Sequence, residues 1–593
     1  MDNWQASQSD PIQRTRLWYA LILIVFGTFA VRLFYTQVIR YDHYKSLALS
    51  DQIREYDVLP ERGAIYAQLN GKTIPLVLNQ KLYTVFADPS IIKHPDTTAA
   101  AIAPLLGLDA EDVETKLRAK QTRYVVLKKK VSASQNKKIL ALKRSGIASQ
   151  QVNYRVYPQG TMAAQVLGFV NDDGEGKYGL EQALDSQLAG QKGRLKAITD
   201  VNGVPLAASS DNLLIQPQAG QSVTLTLDMG MQAQVESIVK AAQEKFRSKN
   251  VSALVMETNT GAIKAMANYP TFDPAKYQQV EDGTVFQNYS VASPIEPGSI
   301  TKVLTVAAAI DKGSISADTS YYDPGKWTID EAKILNVAEG TGTGTQTIKS
   351  LLNLSLNTGA TWTLMQMGGG KLNMQGRQAL YDYFVDHYRL SEKTGIEQGY
   401  EGTGYVPEPE DADNGINITF ANMSFGQAYS ASAVQMGAAL SAIVNGGTYY
   451  RPTLVASTVG TDGKTREQSP VVLKKGVVSE KTSRDMVGLL DYVTEAHVAG
   501  FPYMRFDSRY SVGGKTGTAQ ITDEKTHLYR EDVFNGTFMG YVGGDTPQYT
   551  IVVYNIEPRG YGGFAGAQTG QPVFGEIAHM LINNYDVKPK KGS

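Results

Sequence analysis

Ser299 and Lys302 lie three positions apart and pair a hydroxyl nucleophile with a candidate base. Gly298, just before them, permits a sharp turn, and the nearly continuous apolar run from Lys302 to Ile310 predicts a helix buried inside a domain. Because residues three apart share a helix face, the lysine can reach the serine at the helix start, where the helix dipole favours a developing negative charge. The pattern predicts a serine nucleophile beside its base. The alternative is a capping serine next to a surface lysine.

Two further motifs follow this pair, Ser-x-Asn at Ser355 and Lys-Thr-Gly at Lys515. All three motifs also occur elsewhere, in loops, polar helices, mid-helix positions or polar turns, at Ser90, Ser134, Ser210, Ser237, Ser248 and Lys393. Only Ser299, Ser355 and Lys515 combine, in this order, a helix start, a loop within a helical region and a strand. We therefore predict that these three motifs meet in one site.

The chemistry of acyl transfer assigns a role to each residue type. A serine needs a base in contact, and Lys302 can act as one only if burial and a second cation, Lys515, lower its pKa. Ser355 would pass the proton to the leaving amine. Asn357 would orient the substrate amide. Backbone N–H groups of Ser299 and of the Lys515 strand would stabilise the oxyanion.

A substrate carboxylate has a predicted binding site beside Lys515. The threonine hydroxyls of Thr516-Gly517-Thr518 and the ammonium group of Lys515 can donate hydrogen bonds to it. The site as predicted requires neither a metal ion nor a cofactor. The sequence contains no cysteine, and its 6 histidines form no pair with ligand-like spacing.

The elements around these motifs predict one α/β domain, residues 228–586. Two strands, 251–256 and 262–267, form a hairpin ahead of the nucleophile, and three strands, 510–518, 536–542 and 549–556, follow near the end. Helices are predicted at 232–247 and 573–584, and the region between the two groups of strands is largely helical. A five-stranded sheet with helices on both faces and a helical lobe follows, and its strands come from distant parts of the chain.

The segment before this domain has two parts. Residues 17–40 contain an apolar run interrupted by Arg32, which predicts a single uncleaved transmembrane anchor after a short tail, residues 1–16; a signal peptide and a buried soluble helix are the alternatives. The distribution of positive charge does not fix the orientation of this anchor. Residues 41–227 alternate strands with helices, such as 98–119 and 133–144, and carry no catalytic pattern. Residues 587–593 form a tail.

Composition excludes several classes of function. With 593 residues the chain has more than one domain, and a net charge of −1 argues against nucleic acid as a partner. The absence of cysteine excludes a thiol nucleophile and a disulfide framework.

Several stretches together resemble class B penicillin-binding proteins, which are peptidoglycan D,D-transpeptidases. Ser-x-x-Lys, Ser-x-Asn and Lys-Thr-Gly form the signature of penicillin-binding proteins and serine β-lactamases. Matching stretches outside the three motifs cover almost the whole chain: Arg32–Val38, Pro60–Tyr66, Arg155–Pro158, Gly179–Glu181, Leu188–Gly190, Leu225–Asp228, Glu296–Lys302 and Thr394–Ile396. Ala67, where the family commonly has Asp, and Ile300, where a smaller residue is common, depart from the pattern.

The resemblance implies an elongated α+β pedestal of the dimerisation type, 41–227, and a transpeptidase domain, 228–586. It further implies a Ser299 acyl-enzyme formed from D-Ala-D-Ala stem peptides, trapping by β-lactams, and a SEDS-type glycosyltransferase as partner. A single-pass bacterial membrane protein with an extracytoplasmic catalytic domain is expected, in either division or elongation. A soluble β-lactamase, a penicillin sensor and a catalytically idle scaffold are the competing interpretations.

Overall fold

The computed structural model describes residues 11–44, 53–198, 213–337, 341–410, 415–522, 526 and 528–592. The chain divides into two compact units. One unit comprises residues 1–60 and 190–219, and the other comprises residues 61–189 and 220–593.

The strands of the described residues are numbered in chain order. They are β1 (Ile53–Val58), β2 (Ile65–Leu69), β3 (Lys72–Ala87), β4 (Val125–Val131), β5 (Ile147–Val156), β6 (Phe169–Val170), β7 (Gly176–Lys177), β8 (Gly193–Ile198), β9 (Leu213–Ile215), β10 (Ser222–Asp228), β11 (Asn250–Glu257), β12 (Ile263–Tyr269), β13 (Ser320–Asp323), β14 (Lys326–Ile329), β15 (Ala332–Leu335), β16 (Gly344–Thr347), β17 (Thr448–Tyr450), β18 (Val455–Val459), β19 (Thr465–Glu467), β20 (Val472–Lys475), β21 (Ser511–Thr522), β22 (Tyr529–Gly543) and β23 (Pro547–Ile556).

The α-helices are numbered in the same way. They are α1 (Pro11–Phe34), α2 (Pro95–Leu106), α3 (Ala110–Leu117), α4 (Ala133–Ala141), α5 (Ala164–Leu167), α6 (Gly179–Ala183), α7 (Asp185–Leu188), α8 (Met229–Phe246), α9 (Tyr289–Ala292), α10 (Thr301–Asp311), α11 (Ile348–Asn353), α12 (Asn357–Met367), α13 (Met374–Asp382), α14 (Ile416–Phe425), α15 (Ala433–Val444), α16 (Glu480–His497) and α17 (Gln571–Asn584).

The region from β11 to β23 contains a five-stranded antiparallel sheet with the order β12-β11-β23-β22-β21. The early hairpin and the three late strands are therefore confirmed as one sheet. The inner strands β11 and β23 are buried almost throughout, because both of their faces are covered. The strand that carries the Lys-Thr-Gly motif, β21, lies at the edge of this sheet.

Helices cover both faces of the sheet, as expected. Helices α8 and α17 share one apolar core with the sheet, and α10 and α15 belong to the other core. Helix α10 is buried from Thr301 to Ile310, which confirms the predicted buried helix behind the nucleophile. The region between the two groups of strands is less helical than predicted, since it also contains the short strands β13 to β20.

Residues 61–189 contribute to a second, mixed sheet with the order β19-β18-β10-β2-β3-β4, in which β5 also pairs with β3. The carboxylate of Glu181 is fully buried here and pairs with Arg62 at 2.7 Å and with Arg155 at 2.8 Å. Two arginines around one carboxylate satisfy a buried charge that would otherwise be costly. Arg62, Arg155 and Glu181 all lie in stretches that resemble the family.

The prediction of one helix over residues 98–119 is wrong. Gly107 adopts a left-handed φ of +63° and ends α2. Asp109 then caps α3 by accepting a hydrogen bond from the N–H of Glu111 at 2.8 Å. A left-handed glycine followed by an acidic N-cap separates two helices even though the apolar periodicity continues.

The other unit contains the N-terminal helix and a three-stranded sheet with the order β1-β8-β9. Helix α1 continues into a π-helical turn, Tyr35–Ile39. The segment Thr15–Ile39 has a mean hydropathy of 2.0 and spans 25 residues, which is long and apolar enough to cross a membrane.

Candidate active site

Ser299 lies in a single 3-10 turn, Gly298–Ile300, that leads directly into α10. Gly298 has a left-handed φ of +66°. A Cβ atom at this position would lie 2.5 Å from the carbonyl oxygen of Thr518. Glycine is therefore required for both the conformation and the close approach, and the turn holds the nucleophile against the edge strand β21.

The amine of Lys302 is the centre of the site. Its Nζ atom lies 2.8 Å from Ser299 Oγ, 2.6 Å from the Ser355 carbonyl oxygen, 3.1 Å from Ser355 Oγ and 2.8 Å from Asn357 Oδ1. The Lys302 side chain is fully buried. The structure thus brings the first two predicted motifs into contact around one nitrogen.

The surroundings of Lys302 favour the neutral amine. Burial, and then the positive charge of Lys515, hold the pKa of Lys302 well below its usual value. A neutral amine has two N–H donors and one lone pair. The carbonyl oxygen of Ser355 and Oδ1 of Asn357 can only accept, so they take the two N–H bonds. The lone pair then faces a hydroxyl that can donate, which is the arrangement a general base requires.

Ser355 and Asn357 are positioned by the loop between α11 and α12. Ser355 has a left-handed φ of +57°, which is uncommon for a residue other than glycine. The Asn357 amide is oriented from both ends, because Nδ2 donates to the Leu335 carbonyl at 3.0 Å while Oδ1 accepts from Lys302. This contact connects the last residue of β15 with the site, which the sequence pattern had not done.

Lys515 is the second buried amine of the site and has no exposed surface. Its Nζ atom donates to the Thr516 carbonyl oxygen at 2.9 Å and lies 3.1 Å from Thr516 Oγ1. Burial lowers the pKa of Lys515 to about 7. The amine therefore carries a proton for much of the time at neutral pH, next to a threonine that lines the cleft.

Successive side chains of β21 point in opposite directions, so the residues after Lys515 divide into two sets. Thr516, Thr518 and Gln520 line the cleft, whereas a Cβ at Gly517 would approach the Pro297 carbonyl oxygen at 2.8 Å. Of the three predicted substrate-binding residues, Thr516 and Thr518 face the cleft, and Gly517 packs against the nucleophile turn.

The cleft encloses about 530 Å³ in front of Ser299. Its described lining residues are neutral and divide into hydroxyl, amide and apolar side chains with two small residues: Ser299, Thr341, Ser355, Thr516, Thr518, Asn336, Asn357, Gln427, Gln520, Val337, Leu354, Phe425, Phe534, Phe564, Gly563 and Ala567. The described residues contain no cluster of three or more metal-ligating side chains.

Two of the other occurrences of the motifs have structural hydrogen-bond partners. The Ser90 hydroxyl donates to Asp88 at 2.5 Å, and Ser237 lies in the interior of α8. Thr394, in the second Lys-Thr-Gly, is held by the Glu401 carboxylate at 2.6 Å. Ser210 lies outside the described residues.

The sequence analysis placed Glu296 in the stretch that resembles the nucleophile motif but assigned it no role. It lies three positions before Ser299, and its Oε1 atom accepts hydrogen bonds from the Ala428 N–H at 2.8 Å and the Tyr529 hydroxyl at 2.9 Å. Burial raises the pKa of Glu296. Its partners are 132 and 233 positions away in sequence, so only the three-dimensional fold identifies them.

Two family profiles match the chain. The penicillin binding protein transpeptidase domain matches residues 251–579, and the penicillin-binding protein dimerisation domain matches residues 57–225. Together they cover both the region of the five-stranded sheet and the region before it.

Related proteins match over nearly the full length. Stage V sporulation protein D of Bacillus subtilis is 32% identical, over 98% of this chain and 87% of the relative. Penicillin-binding protein PbpB of Mycobacterium tuberculosis is 30% identical, over 97% and 85%. A solved structure of penicillin binding protein 3 from M. tuberculosis with aztreonam is 26% identical and has a TM-score of 0.65, over 90% of this chain and 98% of that one. Penicillin Binding Protein 2X from Streptococcus thermophilus is 24% identical, covers 90% and 83%, and shares the fold with a TM-score of 0.71.

Proposed function

The chain belongs to the class B penicillin-binding proteins, and we propose that it is a peptidoglycan D,D-transpeptidase that works through an acyl-enzyme on Ser299. The observation that carries the proposal is that one buried amine, that of Lys302, contacts Ser299, Ser355 and Asn357. A capping serine beside a surface lysine would not create this arrangement. The mechanism follows from the roles that these atoms can take.

Acylation begins with proton transfer from Ser299 Oγ to the neutral Lys302 amine. Oγ attacks the carbonyl carbon of the penultimate D-Ala of a donor stem peptide. The oxyanion forms between the N–H of Ser299 and an N–H of β21 near Thr518, the residue against which Gly298 packs. Preorganised donors at this point stabilise charge that appears only in the transition state.

The proton then leaves Lys302 for the departing amine. Ser355 Oγ lies 3.1 Å from Lys302 Nζ and lines the cleft, so it can relay the proton to the nitrogen of the terminal D-Ala. The C–N bond breaks, free D-Ala departs and the Ser299 ester remains. An amine from a second stem peptide then repeats these steps in reverse, regenerates Ser299 and forms the cross-link.

The edge strand β21 supplies the binding site for the donor. A peptide added along this edge would pair with backbone groups that no strand of the described residues uses. Its terminal carboxylate would lie at the Thr516 and Thr518 hydroxyls, with the protonated Lys515 amine close behind them. A β-lactam presents the same carboxylate and a reactive amide, and its adduct on Ser299 would hydrolyse slowly.

The helix Thr15–Ile39 is proposed as a single-pass membrane anchor, with the catalytic domain outside the cytoplasm. Stem peptides are cross-linked outside the cytoplasmic membrane, which fits this orientation. A SEDS-type glycosyltransferase is the proposed partner. The domain boundaries 41–227 and 228–586 and the tails 1–16 and 587–593 are part of the same proposal.

The test is a cross-linking assay with the full-length protein and uncross-linked glycan strands that carry pentapeptide stems. We expect cross-linked dimers and one D-Ala released per cross-link, and we expect neither product with Ser299→Ala or Lys302→Met. D-Ala release without dimers would identify a carboxypeptidase. Penicillin acylation without any peptide product, with and without the glycosyltransferase, would instead favour a sensor or an idle scaffold.

A further inference from the structure

Glu296 connects the nucleophile turn to two walls of the cleft through one carboxylate oxygen. This oxygen accepts hydrogen bonds from two residues. Ala428 belongs to the segment of residues 426–428, and Tyr529 begins β22. The segment also touches the turn directly, because the Gly298 N–H donates to the Gly426 carbonyl at 2.9 Å. Three separate parts of the chain thus depend on the position of this carboxylate.

One partner of Glu296 adjoins a glutamine of the cleft, and the other pairs with β21 two residues beyond a second glutamine, across an irregularity in the register. Gln427, which lines the cleft, immediately precedes Ala428. Tyr529 pairs with Thr522, two residues beyond Gln520 on β21. The two glutamine side chains approach each other, with Gln427 Nε2 located 3.4 Å from Gln520 Oε1.

The glutamine pair lies beyond the reacting atoms. A strand rises about 3.3 Å per residue, so Gln520 is about 7 Å along β21 from Thr518. In a peptide donor extended along this edge, the residues that precede the acylating D-Ala lie beside the two glutamines. A donor that has no residues before this D-Ala does not contact them.

The 426–428 segment needs an external support. Ala428 has a left-handed φ of +61°, a conformation that non-glycine residues adopt at a cost. The Glu296 carboxylate binds the N–H of this residue at 2.8 Å. Oε2 of Glu296 is buried and has no hydrogen-bond partner among the described residues, so Oε1 alone makes the two connections.

We propose that Glu296 is a positioning residue that fixes the Gln427–Gln520 pair and thereby selects for donors with residues before the acylating D-Ala. The inference rests on the proposed transpeptidase function. Glu296 does not touch the reacting atoms. It acts on the part of the cleft that only a longer stem-peptide donor occupies.

The test compares two donors with the same reacting group. Both are thioesters of D-alanine with mercaptoacetate, one carrying only an N-acetyl group and the other carrying two further residues. Acylation of Ser299 releases the same thiol from each, so the ratio of the two kcat/KM values isolates the contacts before D-Ala. The wild-type protein should favour the longer donor.

Glu296→Ala should lower kcat/KM for the longer donor by roughly tenfold relative to the short donor, as expected for the loss of hydrogen bonds to a charged group. Tyr529→Phe should shift the ratio in the same direction by about half as much on a logarithmic scale. Glu296→Gln keeps an oxygen at Oε1 and should retain most of the preference. Tyr529→Phe still provides a test if Glu296→Ala does not fold.

Glu236→Ala is the matched control. Glu236 is also a partly exposed carboxyl that accepts from a backbone N–H, that of Ala163 at 2.7 Å, and from the Gln232 amide at 2.8 Å. Burial raises its pKa as well. Its substitution should lower stability without changing the donor ratio.

Two results would overturn the inference. If Glu296→Ala and Tyr529→Phe lower kcat/KM equally for both donors, Glu296 has a structural role only, and the transpeptidase proposal remains intact. Failure of the wild-type protein to react with either donor, with and without the glycosyltransferase, would refute the proposed function together with this inference.

Discussion

Lys302 and Lys515 are two buried amines that must hold different protonation states for the proposed chemistry to proceed. Lys302 must be neutral to accept the Ser299 proton. Its lowered pKa keeps it neutral until the pH falls through that pKa. Lys515, with a pKa of about 7, must be charged to bind a carboxylate, and it loses that charge as the pH rises.

We therefore predict a bell-shaped pH profile of kcat/KM for acylation by a carboxylate-bearing donor. The alkaline limb should have an apparent pKa near 7 and fall about tenfold per pH unit, since it reports Lys515 in the free enzyme. Lys515→Arg keeps the charge to high pH and should remove that limb. A wild-type profile that stays flat between about pH 6 and pH 9 would contradict this assignment.

A second residue-scale prediction concerns Asn357, whose Oδ1 atom lies 2.8 Å from Lys302 Nζ. Asn357→Asp is nearly isosteric and places a carboxylate against the amine, which raises the pKa of Lys302. Acylation at neutral pH should slow on the order of 10- to 100-fold, and the acid limb should move to higher pH. Stopped-flow acylation as a function of pH measures both effects. A slower reaction with an unmoved acid limb would argue against Lys302 as the base.

At the scale of elements, the nucleophile turn depends on its contact with β21. Gly298→Ala would place a Cβ 2.5 Å from the Thr518 carbonyl oxygen in a left-handed backbone. The turn must then open and displace Ser299, and a misplacement of about 1 Å can slow a reaction 100-fold. We expect penicillin acylation to fall by at least that factor while circular dichroism shows a folded protein.

Gly313→Ala at the other end of α10 is the matched control. Gly313 has φ +74°, and a Cβ there would meet nothing within 4 Å. This variant should lose about 1–2 kcal/mol of stability from the backbone conformation alone and keep its acylation rate. Similar acylation losses in both variants would show that strain, not the contact with Thr518, controls the nucleophile.

Periodicity and turn residues were sufficient to predict the five strands of the sheet, the buried helix α10 and the terminal helix α17, because each has a strong local pattern. The local pattern also led to two wrong predictions. One helix was predicted over residues 98–119 because the apolar period continues through Gly107. The short strands β13 to β20 were missed because they contain too few residues to be distinguished from loops. The order of the strands in the sheet depends on pairing between distant segments, so the sequence analysis did not predict it.

In the site, the sequence identified the residues that we propose carry the chemistry, but not all of the residues that position them. The element in which each lies distinguished Ser299, Ser355 and Lys515 from the other occurrences of their motifs. The structure places the three residues close together. Glu296 and the Leu335 carbonyl depend on long-range contacts through a side chain or the backbone, which leave no spacing to recognise. Gly517 was predicted from its motif to contact substrate, whereas the alternation of β21 turns it towards Pro297.

For the whole molecule, the proposed anchor makes a prediction about the full-length protein. The helix Thr15–Ile39 should keep the protein in the membrane fraction after an alkaline carbonate wash, with release only by detergent. Leu23→Arg combined with Phe26→Arg should reduce this retention, at a cost of about 3 kcal/mol for each arginine at the centre of a span. A wild-type protein that the carbonate wash releases, or a mature N-terminus beyond residue 31, would contradict a retained anchor.

The central claim is that Ser299 forms the acyl-enzyme, and the most direct measurement locates the adduct of a fluorescent penicillin. The full-length protein is incubated with the penicillin and digested, and the labelled peptide is sequenced by mass spectrometry. We predict one adduct, on the peptide that carries Ser299, which persists for many minutes and is absent from a folded Ser299→Ala variant. An adduct on another serine, an adduct lost within seconds, or no adduct even with the glycosyltransferase added would contradict the proposed mechanism.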